Sequence, residues 1–230
     1  MNKVSRKEKK YLITLDKYLK HSHYISQLLQ SDSHNGTDGY NIRSLYFDTL
    51  NDMDYEDKEA GIELRRKIRL RLYNPLDNFA MLEIKQKQGE NQIKRSLRLS
   101  KEDACSLING QYNVLLNYND EFALECYSIM NMYCYRPKTI VEYKRKAFIA
   151  KENNIRITFD SNIVATESYY NIFEENLSMY PVLDISNVIM EVKYNGFLLS
   201  YIKDALNLCN KSELSVSKYM LARSIGKKGC

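Results

Sequence analysis

Between residues 63 and 73 the side chains alternate in kind. Glu63, Arg65, Lys67, Arg69 and Arg71 fall at every second position, Leu64, Ile68, Leu70 and Leu72 fall between them, and Arg66 is the one cation on the apolar side. Successive side chains of a strand point to opposite faces, so this spacing predicts a strand with one greasy face and one face bearing four cations. Two further stretches repeat the pattern. Residues 79–87 set Met81, Glu83, Lys85 and Lys87 against Ala80, Leu82 and Ile84. Residues 92–99 set Gln92, Lys94, Ser96 and Arg98 against Ile93, Leu97 and Leu99, and Gly89 marks the hairpin between them. The triplet Glu-x-Lys, which places both side chains on one strand face, occurs as Glu8/Lys10, Glu56/Lys58, Glu83/Lys85, Glu142/Lys144 and Glu191/Lys193. Composition alone predicts about 1.5 such triplets, and period-2 pairing is the pattern of a strand. A single charged strand face signifies only solvation. Recurrence from end to end of the chain points to strands remote in sequence sharing one polar surface. Guanidinium groups grip phosphate oxygens in pairs, ammonium groups act as point charges, and a carboxylate among them anchors Mg²⁺ or Mn²⁺. Such a surface suits a triphosphate or polyphosphate.

The elements that must position these residues follow from periodicity. A strand at 6–14 precedes a helix at 15–29, in which Leu15, Tyr18, Leu19, Ile25, Leu28 and Leu29 recur at close to helical spacing. Residues 31–39 read as a loop, 42–48 as a strand, and 49–58 as a helix capped by Thr49 and ended by Gly61. Ser100 caps a helix reaching 109, with Asp103 in its acidic first turn, and a second helix covers 120–132. Strands return at 138–150, 155–159, 181–183 and 188–195, and helices close the chain at 197–209 and 217–225 before the solvated pair Lys227-Lys228. There is no internal repeat or linker, so residues 1–230 read as one α+β domain. About six helices suffice to wrap the apolar outside of an antiparallel sheet closed into a barrel with a charged interior. Cations buried at this density repel one another, so water or an anion must fill that interior.

Composition sets the outer bounds. With 44% hydrophobic and 27% charged residues, 8 Gly and 3 Pro, the chain is neither collagen-like nor disordered. A net charge of +5 is too modest for a general polyanion binder and leaves room for a concentrated basic site. No apolar run reaches membrane-spanning length and the opening residues are too polar for a signal peptide, so a soluble, cytoplasmic protein is expected. Cys105, Cys126, Cys134, Cys209 and Cys230 read as reduced structural thiols, and His21, His23 and His34 lack partners at metal-ligand spacing. Tyr46, Phe47, Tyr73, Phe148 and Phe159 read as core. Asp48 and Asp160 divide evenly between capping a turn and holding a metal. RNA binding through the basic sheet and the 19 tyrosines is a weaker reading, since no RNA-binding signature accompanies them, and no nucleic-acid partner is expected.

At these residues the chain resembles the catalytic domain of the vacuolar transporter chaperone (VTC) family, a polyphosphate-polymerase branch of the triphosphate tunnel metalloenzymes related to the CYTH superfamily. The resemblance is carried by Glu8-Lys9-Lys10-Tyr11, Ser44-Leu45-Tyr46-Phe47-Asp48, Tyr55-Glu56-Asp57-Lys58, Ile68-Arg69-Leu70-Arg71-Leu72-Tyr73, Leu82-Glu83-Ile84-Lys85 and Lys94-Arg95-Ser96. It continues through Tyr143-Lys144-Arg145-Lys146-Ala147-Phe148, Arg156-Ile157-Thr158-Phe159-Asp160, Glu191-Val192-Lys193-Tyr194 and Ser217-Lys218-Tyr219. It implies a tunnel barrel in which Lys10, Lys58, Lys85, Lys94, Arg156 and Lys193 bind the phosphates of ATP and polyphosphate. Arg69, Arg71, Arg145 and Lys218 would serve the reacting phosphoryl group, and Glu191 would anchor Mn²⁺ or Mg²⁺. The sensor domain and transmembrane segment of eukaryotic relatives have no counterpart in the sequence, so export would call for a separate membrane protein. The leading expectation is transfer of the ATP γ-phosphoryl group to polyphosphate. Hydrolysis with water as acceptor and binding without turnover remain the alternatives.

Overall fold

The computed structural model describes residues 6–89, 91–207, 212–213 and 217–228. In chain order the elements are β1 (Arg6–Thr14), α1 (Leu15–Leu28), β2 (Gln30–Ser31), β3 (Tyr40–Asp48), α2 (Met53–Glu59), β4 (Arg65–Leu72), β5 (Phe79–Gln88), β6 (Asn91–Ser100), α3 (Lys101–Ile108) and α4 (Glu121–Met132). They continue as β7 (Arg136–Ala150), β8 (Ile155–Thr166), β9 (Tyr180–Pro181), β10 (Asn187–Asn195), α5 (Ser200–Asn207), β11 (Ser212–Glu213) and α6 (Lys218–Lys228). Short 3-10 turns at Tyr112–Asn117 and Glu152–Asn154 and the two-residue strands β2 and β11 go beyond the periodicity reading, being too short to show a period, while β9 falls at the edge of the strand expected at 181–183. Cys209 and Cys230 lie outside the described residues. The fold is α+β, with antiparallel strands and covering helices. No helix among the described residues is long and apolar enough to cross a membrane.

Two compact units share the chain. The first draws on Met1–Asn41, Tyr143–Val164 and Pro181–Ser217, the second on Ile42–Glu142, Ala165–Tyr180 and Lys218–Cys230. In the first the strand order is β11-β1-β10-β8-β7, with β2 also paired to β7. Tyr11, Ile13, Phe148, Ile157, Phe159, Val188, Met190 and Val192 point to one side, where Ile25 of α1 and Ile202 and Leu206 of α5 complete a buried core. In the second unit the order is β7-β3-β4-β5-β6. Leu45, Phe47, Ile68, Leu70, Leu72, Ala80, Leu82, Ile84 and Leu99 face Ala104 and Leu107 of α3 and Phe122, Ala123, Cys126 and Met130 of α4. Each large side chain buried here contributes roughly 1.5–3 kcal/mol. The ladders are open: among the described residues β11 is paired only with β1, and β6 only with β5.

The apolar side of the second unit also holds Arg43, Arg66 and Arg95, each with a partner, as burial requires. Arg95 donates from Nη2 to Glu125 at 2.5 Å and lies 5.2 Å from the Phe122 ring. Arg66 lies 4.6 Å over the ring of Tyr133 and 3.9 Å from Asp54. Arg43 donates from Nε to Glu142 at 2.6 Å and from Nη1 to the Ile172 carbonyl at 3.1 Å.

Ser100 caps its helix as expected, accepting from the backbone N–H of Asp103, and Asp120, at the expected start of α4, accepts from those of Phe122 and Ala123. The helix expected from residue 49 starts instead at Met53, with Asp52 in a left-handed conformation before it. The reason is the buried carboxylate of Asp48. Its oxygens accept from the backbone N–H of Thr49 at 2.7 Å, Asp54 at 2.9 Å and Tyr55 at 3.0 Å, and from the Tyr219 hydroxyl. A tight turn at 49–52 is thereby locked before the helix begins. Burial and the neighbouring Asp48 push the Asp54 carboxyl up to about 8, and the Tyr135 hydroxyl sits 3.0 Å from both its oxygens. Asp48→Ala leaves these buried donors without an acceptor and is expected to lower stability by about 3 kcal/mol, read from urea denaturation midpoints.

Candidate functional site

In the first unit the strand register gathers charge from distant parts of the chain. β1 runs antiparallel to β10, setting Lys10 opposite Glu191 and Glu8 opposite Lys193, and β10 sets Glu191 beside Thr158 and Lys193 beside Arg156 of β8. Lys10 Nζ lies 2.7 Å from Glu8 and 3.5 Å from Glu191, and Lys193 Nζ lies 2.9 Å from Glu191. Glu191 is buried. Burial favours its neutral form, yet Lys193, Lys10 and Arg145 hold the carboxyl well below its ordinary range. Burial likewise opposes charge on Lys10, and Glu191 and Glu8 overcome it, raising the ammonium above its usual value. Arg145 donates from Nε and Nη2 to the two oxygens of Asp160, at 2.6 and 2.7 Å. Arg156 donates to Asp32 at 2.7 Å and to the Tyr40 hydroxyl at 3.1 Å. Each named cation of this face therefore stands against a carboxylate.

The second unit differs in balance. Register places Tyr46, Arg69, Glu83 and Ser96 in one cross-strand row, flanked by Ser44, Arg71, Met81 and Arg98 on one side and Lys67, Lys85 and Lys94 on the other. Glu83 is the carboxylate of these rows. Arg69 Nε and Nη2 reach its Oε2 at 2.8 and 2.6 Å, Arg71 Nη1 lies 3.8 Å away, and Lys94 Nζ contacts Oε1 at 2.6 Å. Burial alone would raise the Glu83 carboxyl, but Arg69, Arg71 and Lys94 bring it down to about 2. The other guanidinium nitrogen of Arg69 donates to the Tyr46 hydroxyl at 3.0 Å, and the Tyr46 ring stacks on Tyr219 with centroids 5.2 Å apart. Tyr219 follows Lys218 at the start of α6, so the Arg69 face and the last helix are joined through two aromatic rings and Asp48. Lys58 sits in the last turn of α2, beside the strands rather than on them.

The VTC domain family model matches residues 5–225. The chain belongs to the VTC domain family. A Hippeastrum protein, described as a candidate adenylyl cyclase with a dominant triphosphatase activity, is 12% identical, covers 94% of each chain and has a TM-score of 0.53. A protein of Bacillus halodurans described as a candidate adenylate cyclase is also 12% identical, covers 89% of this chain and 88% of its own, and has a TM-score of 0.49. The Hippeastrum likeness shows a shared fold. No curated protein sequence matches the chain.

Within this VTC domain the expected residues divide into two clusters. Lys10, Arg145, Arg156, Lys193 and Glu191 lie in the first unit, and Lys58, Arg69, Arg71, Lys85, Lys94 and Lys218 in the second. Asp48 and Asp160 cap a turn and pair with Arg145 respectively, so their carboxylates are committed to structural partners. Glu142 and Lys144 fall on the opposite side from Arg145: Glu142 binds Arg43, and Lys144 lines a groove against α1 with Tyr18 and Ser22. Tyr73 is exposed rather than core, whereas Tyr46 is buried as expected, and its hydroxyl also accepts from Arg69. Glu8 and Glu83 were not among the expected site residues, although both belong to the Glu-x-Lys pattern that marked Glu191.

Among the described residues no group of three or more His, Cys, Asp or Glu is placed to hold a metal. The Glu8–Glu191 pair still fits Mg²⁺ or Mn²⁺, because these ions are commonly held by one or two carboxylates together with substrate phosphates and water. Glu83 fits less well, since its cross-strand rows offer no second carboxylate to share an ion with it.

Because the folded Glu83 carboxyl titrates below its ordinary value, its stabilising contribution is complete above pH 4.5 and is lost as pH falls toward 2. Glu83→Gln is expected to remove that acid-side loss and to cost about 3 kcal/mol at pH 7, measured as urea midpoints across pH 2–7.

Proposed function

We propose that this VTC domain is a divalent-metal-dependent phosphotransferase that moves the γ-phosphoryl group of ATP onto the end of a polyphosphate chain. The observation that carries the reading is the face of β4, β5 and β6, where Arg69, Arg71, Lys85 and Lys94 gather around the single carboxylate of Glu83. A cationic face of this kind favours a ligand with closely spaced negative charges. The first unit, whose cations are matched by acids, instead supplies the carboxylate pair Glu8 and Glu191.

In the proposed step a terminal oxygen of polyphosphate attacks the γ-phosphorus, the bond to the β–γ bridging oxygen breaks, and ADP leaves with that oxygen. No side-chain nucleophile is required, so the protein's work is alignment and charge neutralisation. Arg69, Arg71 and Arg145 stabilise negative charge on the transferring group. Lys10, Lys58, Lys85, Lys94, Arg156 and Lys193 bind the flanking phosphates, and Lys218 adds a cation at the start of α6. The already ionised Glu191, with Glu8, would hold the Mg²⁺ or Mn²⁺. When bound, such an ion neutralises phosphoryl oxygens and orients them for in-line displacement. The Hippeastrum protein, described as having a dominant triphosphatase activity, supports a triphosphate as the substrate class.

Incubation with ATP, Mn²⁺ and a short polyphosphate primer is expected to yield ADP and long acid-labile polymer. Stoichiometric orthophosphate without polymer would replace transfer by hydrolysis, and nucleotide binding without turnover would reduce the protein to a binding module. Glu191→Gln is expected to lower turnover at least a hundredfold, the order found when one group stabilising transition-state charge is lost, while leaving polyphosphate binding within about threefold by calorimetry.

A further inference from the structure

Three buried tyrosines of the second unit stand apart from its apolar core. Leu45 and Phe47 of β3 pack into that core, whereas Tyr46 between them turns to the Arg69 side, where Tyr55 of α2 and Tyr219 of α6 meet it. The Tyr46 and Tyr219 rings stack with centroids 5.2 Å apart and 28° between their planes, and Tyr55 meets Tyr219 edge-on at 6.3 Å. The Tyr219 hydroxyl donates to Asp48, which tethers the tip of that ring as well. Arg69 reaches Glu83 from Nε at 2.8 Å and from Nη2 at 2.6 Å, and both contacts converge on Oε2. A guanidinium held on one oxygen can pivot, unlike one that forks two. The Tyr46 hydroxyl, accepting from Arg69 Nη1 at 3.0 Å, adds the third point that fixes its plane. Helix α6 has other anchors: Arg223 lies 2.7 Å from Asp52 and 2.8 Å from Glu167, and Lys227 lies 2.8 Å from Glu56. Its attachment therefore does not depend on the ring stack.

We propose that Tyr219 is a positioning residue which, acting through the Tyr46 ring and hydroxyl, holds the Arg69 guanidinium in the plane that meets the transferring phosphoryl group. The inference rests on the phosphotransferase reading for the chemistry that Arg69 serves, while the chain of contacts from Asp48 to Glu83 belongs to the fold. A donor aimed wrongly loses charge stabilisation in the transition state more than in ground-state binding, so kcat is the constant that falls.

In the assay with ATP and Mn²⁺, Tyr219→Leu and Tyr46→Phe should each lower kcat about tenfold while KM for ATP stays within about threefold. Tyr219→Phe keeps the ring and should retain kcat within about threefold. Because the two tyrosines act through one chain of contacts, the double variant Tyr46→Phe/Tyr219→Leu should fall no more than about threefold below the weaker single variant. Independent effects would multiply to about a hundredfold and overturn the proposal. The Arg69 Nε–H resonance, assigned by its loss in Arg69→Lys, gives a readout that needs no turnover and should shift or broaden in Tyr219→Leu. An unmoved resonance, a rise in KM at constant kcat, or an equal loss in Tyr219→Phe overturns the proposal. If Tyr219→Leu melts early, Tyr219→Met takes its place under the same criteria. A disturbed resonance in a chain that forms no product from ATP and Mn²⁺ would retain the positioning and remove the phosphotransferase. Polymer synthesis with an unmoved resonance and unchanged kcat would do the reverse.

Discussion

A carboxylate stays ionised inside a folded chain where cations or hydrogen-bond donors surround it, and two centres of the cationic kind organise this molecule. Glu191 is held ionised by Lys193, Lys10 and Arg145, and Glu83 by Arg69, Arg71 and Lys94. Each carboxylate in turn lets cations stand side by side that would otherwise repel. Removing either acid would leave buried positive charge unbalanced, and removing the cations would drive the acid to take up a proton. The strands, their register and the helices behind them all serve this reciprocal arrangement, because only a period-2 ladder brings the partners to one face while the opposite face packs as core.

That periodicity is also why much of the fold was legible in the residues. The alternation at β4, β5 and β6 named the charged face and its hairpin order, and the cap at Ser100 fell where expected. What the alternation could not convey was partnership across long separations. Glu83 and Glu191 look alike in sequence, both in Glu-x-Lys triplets, and each is engaged by three cations, yet only Glu191 shares those cations with a neighbouring acid, Glu8. Glu142/Lys144 shares the same spelling and lies on the other side of its strand, because neighbouring Arg145 takes the charged side. Arg66, anomalous by pattern, proves to be a cation covered by a tyrosine ring and an acid.

Asp48 shows a different limit. A single aspartate at the end of a strand could be a turn residue or a ligand, and local spacing does not separate the two. Its fate is decided by Tyr219, far along the chain, whose hydroxyl takes one of its oxygens while the ring stacks on Tyr46. Through Tyr46 the same contact reaches Arg69. The position of the last helix is therefore coupled to the guanidinium most closely bound to Glu83.

The pairing of β1 with β10 has a consequence for biosynthesis. Glu8 and Lys10 leave the ribosome well before Glu191 and Lys193, so their ion network cannot assemble on a nascent chain until β10 has also emerged. The β4–β5–β6 meander needs only neighbouring segments and can close much earlier. The cationic surface around Glu83 would then form before the Glu8–Glu191 pair, so the two charge centres mature in sequence rather than together.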